Sequence, residues 1–472
     1  MGTISDKLMR IINTKEDIRQ ALISKGYDVP TSIPFKEYAK MISDLPCRVD
    51  SFPDIEVIVA RYSALGLTNE QMAANPVWVD KTGNGHDLQM KNFAWKEGSG
   101  ISDIYPGALV FDGVDDWAGC DNLPLLPKEK GYSIIALRNW ITRYDATQYK
   151  RPLISNLDTN DEGAFLIEYR KDENVNDVTG SYNSFTDVYI DDNNPITWQT
   201  SSSYNGQIIK KGTSKSTNKL CICKTYFGQL SNYANAAIWE LIILDHDATE
   251  EELTKIKDYF VKTYPWLFPD QAWTVTGKTN EDEDRATIAN ITGNSNDLVL
   301  SNFGFVEGSG YNEEGEYAGY LVTDGVDDKV VSAESIAFTD TWTIITDTVF
   351  LGKVSVASGI LASNIFTVYN YQGSGTIAVT MGEGGSSLRV ITSSIKAFSS
   401  DGTIYDAEWN EYHVEIGTIR ALERLLKIGT SSNETSYFCQ LAFKFLGIYN
   451  NQILSKEDCI KAYNYLQTLK AK

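Results

Sequence analysis

Over residues 1–46 the apolar positions recur at helical spacing. Ile4, Leu8, Ile11 and Ile12 form one stripe, and Ile18, Leu22 and Ile23 form a second, opened by a capping pattern at Thr14 and Asp17. Gly26 is a natural stop. Beyond Pro30 and Pro34, the positions Phe35, Tyr38, Ala39, Ile42 and Leu45 predict a further helix. From about Phe52 the period changes. Short β-branched and aromatic runs, such as Ser133–Leu137, Ala164–Glu168, Ile238–Leu244, Trp342–Ile345 and Ile365–Tyr369, alternate with Gly, Asn and Asp. That grammar predicts antiparallel strands joined by tight turns. Helical spacing returns twice: over Glu250–Tyr264, with Leu253, Ile256, Phe260 and Val261 on one face, and after Ser455, with Cys459, Ala462, Tyr463 and Leu466. Pro265 and Pro269 end the first of these, since proline cannot continue a helix.

The strand-rich region is written twice. Leu109-Val-Phe-Asp-Gly-Val-Asp-Asp116 returns as Leu321-Val-Thr-Asp-Gly-Val-Asp-Asp328, differing only at Phe111 and Thr323. Gly66, Thr68, Asn69 and Glu70 return as Gly277, Thr279, Asn280 and Glu281, and Thr82–Gly100 aligns with Thr292–Gly310. Such a period is far too long for a solenoid unit. It predicts two whole domains, each with its own core. The expected organisation is a helical module over 1–50, a first domain over 51–268 and a second over 269–472. The expected fold class is mainly β: two tandem antiparallel β-sandwiches of the jelly-roll kind, each ending in a helix, behind a short α-helical module.

Charge narrows the partners. Forty-two basic side chains against 63 acidic ones leave a net charge of -21 at pH 7. Without a basic stripe, such a surface repels nucleic acid and anionic lipid, so neither nucleic acid nor membrane is an expected partner. No run of 18 apolar residues predicts a spanning helix, and the N-terminus lacks the apolar core and cleavage site of a signal peptide. The six cysteines form no C-x-x-C pair, which fits a chain kept reduced in a cytoplasm. Cys221 and Cys223, two residues apart, are expected on one face of a strand. His86, His246 and His413 lack the close spacing of a zinc site.

Helices as short as those of the leader cannot bury their apolar faces alone. Leu8, Ile11, Ile12, Ile18, Leu22, Phe35 and Tyr38 are therefore expected to form an attachment or oligomerisation surface. The strings Ile4-Ser-Asp-Lys-Leu8, Asn13-Thr-Lys-Glu-Asp-Ile18, Lys25-Gly-Tyr-Asp-Val-Pro30 and Pro34-Phe-Lys-Glu-Tyr38 resemble the leader of phage structural proteins, particularly tail and fibre proteins of phages infecting Bacteroidales and Firmicutes. The resemblance implies a virion location after synthesis in a host cytoplasm. It also implies capsid or tail proteins as partners, and a homodimer or homotrimer as the working form.

The rest of the chain resembles the concanavalin A-like, laminin G-like superfamily. The resemblance rests on Thr82-Gly-Asn-Gly-His-Asp-Leu88, the Phe-Asp-Gly-Val-Asp-Asp phrase, the strand Trp239–Leu244 and the acidic helix start Thr249-Glu-Glu-Glu-Leu253. It implies lectin-like domains and host-surface glycans as a further partner. Copy two departs at Thr323 and at Asn294-Ser-Asn296.

Three chemistries compete. Asp112, Asp115 and Asp116 could offer hard oxygens to calcium, yet Asp-Gly is also a strong turn signal, and no EF-hand-like ligand ladder accompanies it. The turn reading leads, so neither a metal site nor a cofactor is expected. Glycoside hydrolysis needs two facing carboxylates. The Glu-x-Asp-x-x-Glu pattern of related glucanases is absent, as is a Gly-x-Ser-x-Gly elbow. No catalytic residue is assigned, and a carbohydrate-active enzyme, a capsule depolymerase or glycosidase, stands as the alternative. Glycan binding remains, with Trp117, Tyr144, Asn156, Asp158 and Asn160 as candidate residues in the first domain. Trp117 stands where copy two has Lys329, whereas Trp140 meets Phe350 and reads as core.

Overall fold

The computed structural model describes residues 52–471 except 56, 127–131, 142–149, 159–164, 171–182, 187–195, 201–216, 228–231, 294, 353–357, 364–365, 371–376, 382–386, 391, 393, 418–422 and 431–437. The leader, with its seven candidate attachment residues, lies outside the described residues. Ile55–Lys472 form one compact unit.

Two antiparallel β-sandwiches make up that unit. In the first, one sheet runs in the order Ile196–Thr200, Ser133–Trp140, Asn235–Leu244, Leu109–Asp112, Gly100–Ile101, with Ile58–Ser63 also pairing to Asn235–Leu244. The facing sheet is ordered Asn183–Thr186, Phe165–Arg170, Lys150–Ser155, Leu220–Ile222, Trp117–Cys120, Leu88–Lys91, Val77–Trp78, with a parallel pair at the Asn183–Thr186 end. The second sandwich repeats the plan. Its central strand Leu441–Asn450 pairs with Trp342–Phe350, Tyr320–Val322 and Gln271–Thr274, and its facing sheet has eight strands. Both central strands are almost wholly buried. Each sandwich fills its interior with its own cluster, around Trp78, Phe111, Trp140 and Ile154 in the first and around Trp273, Trp342, Phe366 and Phe398 in the second.

The duplication extends to register and to loops. Leu244 pairs with Ser133 as Tyr449 pairs with Thr343, and each strand pair carries one irregularity, at Ile238/Glu240 and at Asp347/Thr348. The loop before Leu88 is organised by Asp80, whose carboxylate accepts the N–H groups of Arg61, Thr82 and His86. Asn290 takes that place in the second copy and accepts from Thr292.

Among the described residues, three α-helices border the sheets. Helix α1, Asn69–Ala74, opens on a capping box between Thr68 and Gln71. Helix α2, Glu250–Thr263, opens on another between Thr249 and Glu252. Helix α3, Lys456–Thr468, is capped by Ser455. The buried face of α2 is Ile256, Tyr259, Phe260 and Thr263, so Leu253 and Val261 are only half-buried. Tyr259 displaces them because its hydroxyl completes a buried polar network described below. In α3 Tyr465 is buried beside Cys459, Ala462 and Leu466, and Tyr463 lies at the margin. Helical spacing placed Ile256, Phe260, Cys459, Ala462 and Leu466 on the buried faces and missed Tyr259 and Tyr465, whose places hydroxyl chemistry and the neighbouring sandwich decide.

The two sandwiches meet through Tyr264–Asp270 and α3. The Tyr449 hydroxyl donates to the Trp266 carbonyl at 2.9 Å, and the Asn450 N–H to Asp270 Oδ2 at 2.6 Å. Tyr465 sets its ring edge-to-face on Trp239 of the first sandwich at 6.2 Å, and Asn464 donates to the Asp103 carbonyl.

Candidate functional site

The aspartate phrase is a turn in both copies. Asp112 Oδ1 accepts the N–H groups of Val114, Asp115 and Asp116, and Asp324 Oδ1 those of Val326, Asp327 and Asp328. Gly113, at φ +76°, must be glycine: a Cβ there would lie 3.0 Å from the Asn235 backbone nitrogen. Asp116 and Asp328 are buried, and each returns Oδ2 to the N–H that opens its own turn. Two triads, Asp112/Asp115/Asp116 and Asp324/Asp327/Asp328, do bring carboxylate oxygens within 4.8 Å of one another. Their hydrogen bonds to backbone organise both turns, as the turn reading requires, while Oδ1 of Asp116 and of Asp328 is buried and accepts none.

Burial pushes the Asp116 carboxyl up to about 6, with Asp112 and Asp115 adding to the effect and the Ser99 hydroxyl and Asp112 N–H opposing it. Asp328 is likewise pushed up to about 6. Both folded-state values exceed the ordinary 3.8. Their contribution to stability is therefore complete below about pH 3.8 and is lost as the pH rises through about 6. The double substitution Asp116→Asn, Asp328→Asn removes this titration. Its melting temperature relative to wild type is expected to improve progressively from pH 4 to pH 7; a difference independent of pH would contradict the assignment.

Among the described carboxyls, the buried Glu240 and the carboxyl of Asp270 at the seam also serve the fold. Glu240 is raised by burial against the pull of Arg61, and accepts from Tyr259 and Tyr264. Asp270 is raised by burial and accepts from Asn450. His246 stands between Asp245 and Glu252, 3.1 and 3.0 Å away; burial lowers its pKa, but these partners outweigh burial and raise it. His86 and His413 belong to separate loops and strands. The described cysteines are free and buried. Cys221 and Cys223 do not share a face: Cys223 lies beyond the strand end at φ +57°, which turns it into the core, while Cys221 faces outward beneath other side chains.

Of the candidate glycan residues, Trp117 and Asp158 are half-buried near one outer face of the first sandwich. Strand Trp117–Cys120 directs Ala118 and Cys120 inward, leaving Trp117 and Gly119 outward. Gly119 is needed there, because a Cβ would lie 2.6 Å from the Leu220 carbonyl oxygen and 2.8 Å from the Trp117 ring. Phe227 meets Trp117 edge-to-face at 5.7 Å, and the Lys224 ammonium lies 4.1 Å from the Trp117 ring centroid. Lys219 sits 4.8 Å over Phe227 and 3.8 Å from Asp121. Asp158 lies near enough to Cys221 to raise its thiol pKa, secondary to burial. The platform is thus two half-buried aromatic rings, the Lys219 ammonium and rim carboxylates, with Lys224 buried against Trp117 and donating to the Phe227 carbonyl. Lys224 and Phe227 follow the strand Leu220–Ile222 in a loop whose path no spacing rule predicts, so they escaped the sequence reading.

Asn156 does not join them. It is buried, and its amide donates to the Thr217 and Lys219 carbonyls at 2.9 and 2.5 Å, fastening the chain ahead of Leu220. Tyr144 and Asn160 lie outside the described residues.

No family model matches the chain, and no curated protein matches it. Among solved structures it is similar to a Trypanosoma rangeli sialidase in complex with sialic acid, at 11% identity and a TM-score of 0.29, over 50% of this chain and 41% of the sialidase. It is also similar to the binding domain of Paraclostridial Mosquitocidal Protein 1, at 9% identity and a TM-score of 0.26, over 41% and 52%. A mutant of HCR/D, at 8% identity and a TM-score of 0.30, covers 84% of this chain and 98% of its own. The chain thus spans well under half the length of the sialidase, and likenesses this distant transfer no activity.

Proposed function

We propose that the protein is a non-catalytic structural component of a phage particle, a head or tail fibre or decoration protein, whose tandem sandwiches hold host-surface glycans. The observation that carries the glycan part is the outer-face platform of Trp117, Phe227, Lys224 and Lys219. Partly open aromatic rings offer apolar faces to a sugar ring, while the Lys219 ammonium and carboxylate groups at the rim take its hydroxyls. The leader's resemblance supports the particle assignment. Attachment through the leader would multiply a weak single site by avidity.

Binding of the full-length chain across a glycan array tests the glycan part. Retention of at least one glycan is expected, with Trp117→Ala weakening it by about 1–3 kcal/mol, the scale of one aromatic stacking contact. A silent array with the intact oligomer would remove the platform as a ligand site. Mass spectrometry of purified particles tests the location, and absence of the chain from them would overturn it. Release of reducing ends from capsular or plant polysaccharides would instead establish the enzyme alternative.

A further inference from the structure

We propose that the outer face of the second sandwich, where Lys396 and Lys444 flank Asp347 beside Tyr320, Tyr463 and Trp409, binds an acidic polysaccharide. Tyr320, Lys444, Asp347 and Lys396 lie on successive neighbouring strands, Tyr320–Val322, Leu441–Asn450, Trp342–Phe350 and Ile395–Ser399. Three inter-strand spacings separate the ends of that row, about 14 Å, which suits an oligosaccharide rather than a single ring. Helix α3 borders the row with Tyr463, and a turn adds Trp409, whose ring meets Tyr463 edge-to-face at 5.7 Å. Both lysines and all three aromatic residues are half-buried, so each retains some exposure.

The ammonium groups are the deciding feature. Some lysines of this acidic chain have carboxylate partners, as in Lys255 with Glu251, Lys278 with Asp284 and Lys461 with Glu457, while others, such as Lys224 over Trp117, have none among the described residues. Among the described residues Lys396 and Lys444 form no ion pair within 4.0 Å. They rest instead on aromatic rings: Lys396 at 5.2 Å from Trp409 and 4.8 Å from Tyr463, Lys444 at 5.3 Å from Tyr320. Asp347 accepts from the Tyr320 hydroxyl at 2.9 Å and offsets one positive charge of the two. Against Asp347 alone the two lysines leave one positive charge, with Asp406 and Glu408 in the turn that carries Trp409, and their N–H donors face partly exposed rings. A sugar chain bearing carboxylates complements both features. Trp409 is held at φ +62°, costly for a bulky residue, by a turn in which Asp406 accepts the N–H groups of Glu408 and Asn410 and the Tyr412 hydroxyl. The corresponding positions of the first sandwich differ: register places Leu137 where Asp347 stands and Trp239 where Lys444 stands, and Trp239 is covered by Tyr465.

The proposal deepens the glycan-binding reading with a second, chemically different site. Full-length protein is titrated with polygalacturonate and hyaluronan, with dextran as the uncharged control. Lys396→Met and Lys444→Met keep each aliphatic stem on its ring and remove only the charge. Each is expected to weaken acidic-polymer binding about tenfold with an unchanged melting temperature. Trp117→Ala is expected to leave this binding intact, which separates failure here from failure of the first platform. Wild-type binding must also weaken as salt rises. No retention of either acidic polymer, retention indifferent to both lysine substitutions, or retention indifferent to salt would each overturn the proposal.

Discussion

Replacing Arg61 by Met is expected to destabilise the protein by about 3–5 kcal/mol, the cost of leaving a buried charge without its partner. The Arg61 guanidinium donates through Nε to Glu240 Oε2 and through Nη2 to Oε1, both at 3.2 Å, and the two side chains are 5% and 0% exposed. Nη2 also donates to the Tyr259 hydroxyl at 2.7 Å, and the Tyr264 hydroxyl donates to Glu240 Oε1 at 2.8 Å. These bonds tie α2 to the centre of the first sandwich. Without Arg61, Glu240 must either stay charged and unpaired or take up a proton, and burial already raises its pKa. The second sandwich supplies the control. Its register places Ala272 where Arg61 stands and Phe445 where Glu240 stands, and both are fully buried. The same strand pairing therefore tolerates an apolar pair. Arg61→Met combined with Glu240→Leu is expected to recover at least half the loss, read from denaturant midpoints at pH 7. A double variant as unstable as the single one would show that the tyrosine hydroxyls, and not the charge, require the network.

The two sandwiches were legible because strand periodicity, turn residues and duplication all agree. Ser133–Leu137 and Trp342–Ile345 are the starts of strands Ser133–Trp140 and Trp342–Phe350, and Ile238–Leu244 lies within Asn235–Leu244. Trp140 is core, as its alignment with Phe350 implied. The platform was legible only at Trp117, whose lack of an apolar counterpart in copy two marked it. Asn156 sits among acidic and amide residues and reads as a surface ligand, but its amide is spent on carbonyls 61 and 63 positions away. Pairings across that separation depend on loop closure, which leaves no periodic trace. Tyr463 and Tyr465 show the same limit within a helix: two positions apart, they point to different sides, one ring buried against Trp239 and the other bordering the lysines.

Truncating Trp239 to Ala is expected to cost about 3–5 kcal/mol, as for a fully buried tryptophan, and to uncouple the two sandwiches. Trp239 is 0% exposed; its Nε1 donates to the Pro106 carbonyl at 2.9 Å and its ring receives Tyr465 from α3. Helix α3 belongs to the second sandwich, where Leu466 packs over Gly447 in the space a Cβ would take. A change at Trp239 thus reaches the second core through one helix. Around it, the Trp266 carbonyl accepts from Tyr449, and Lys461 lies 4.5 Å over the Trp266 ring. A seam this buried makes the pair melt together, so calorimetry of the wild type should show one transition for residues 55–472. In Trp239→Ala that transition should split or broaden, with the first sandwich melting earlier. Tyr465→Ala should do the same, and the double substitution should cost less than the sum of the two, because each alone already removes their shared contact. Strict additivity, or a single sharp transition in both variants, would mean that the sandwiches are coupled elsewhere, through Tyr264–Asp270 alone.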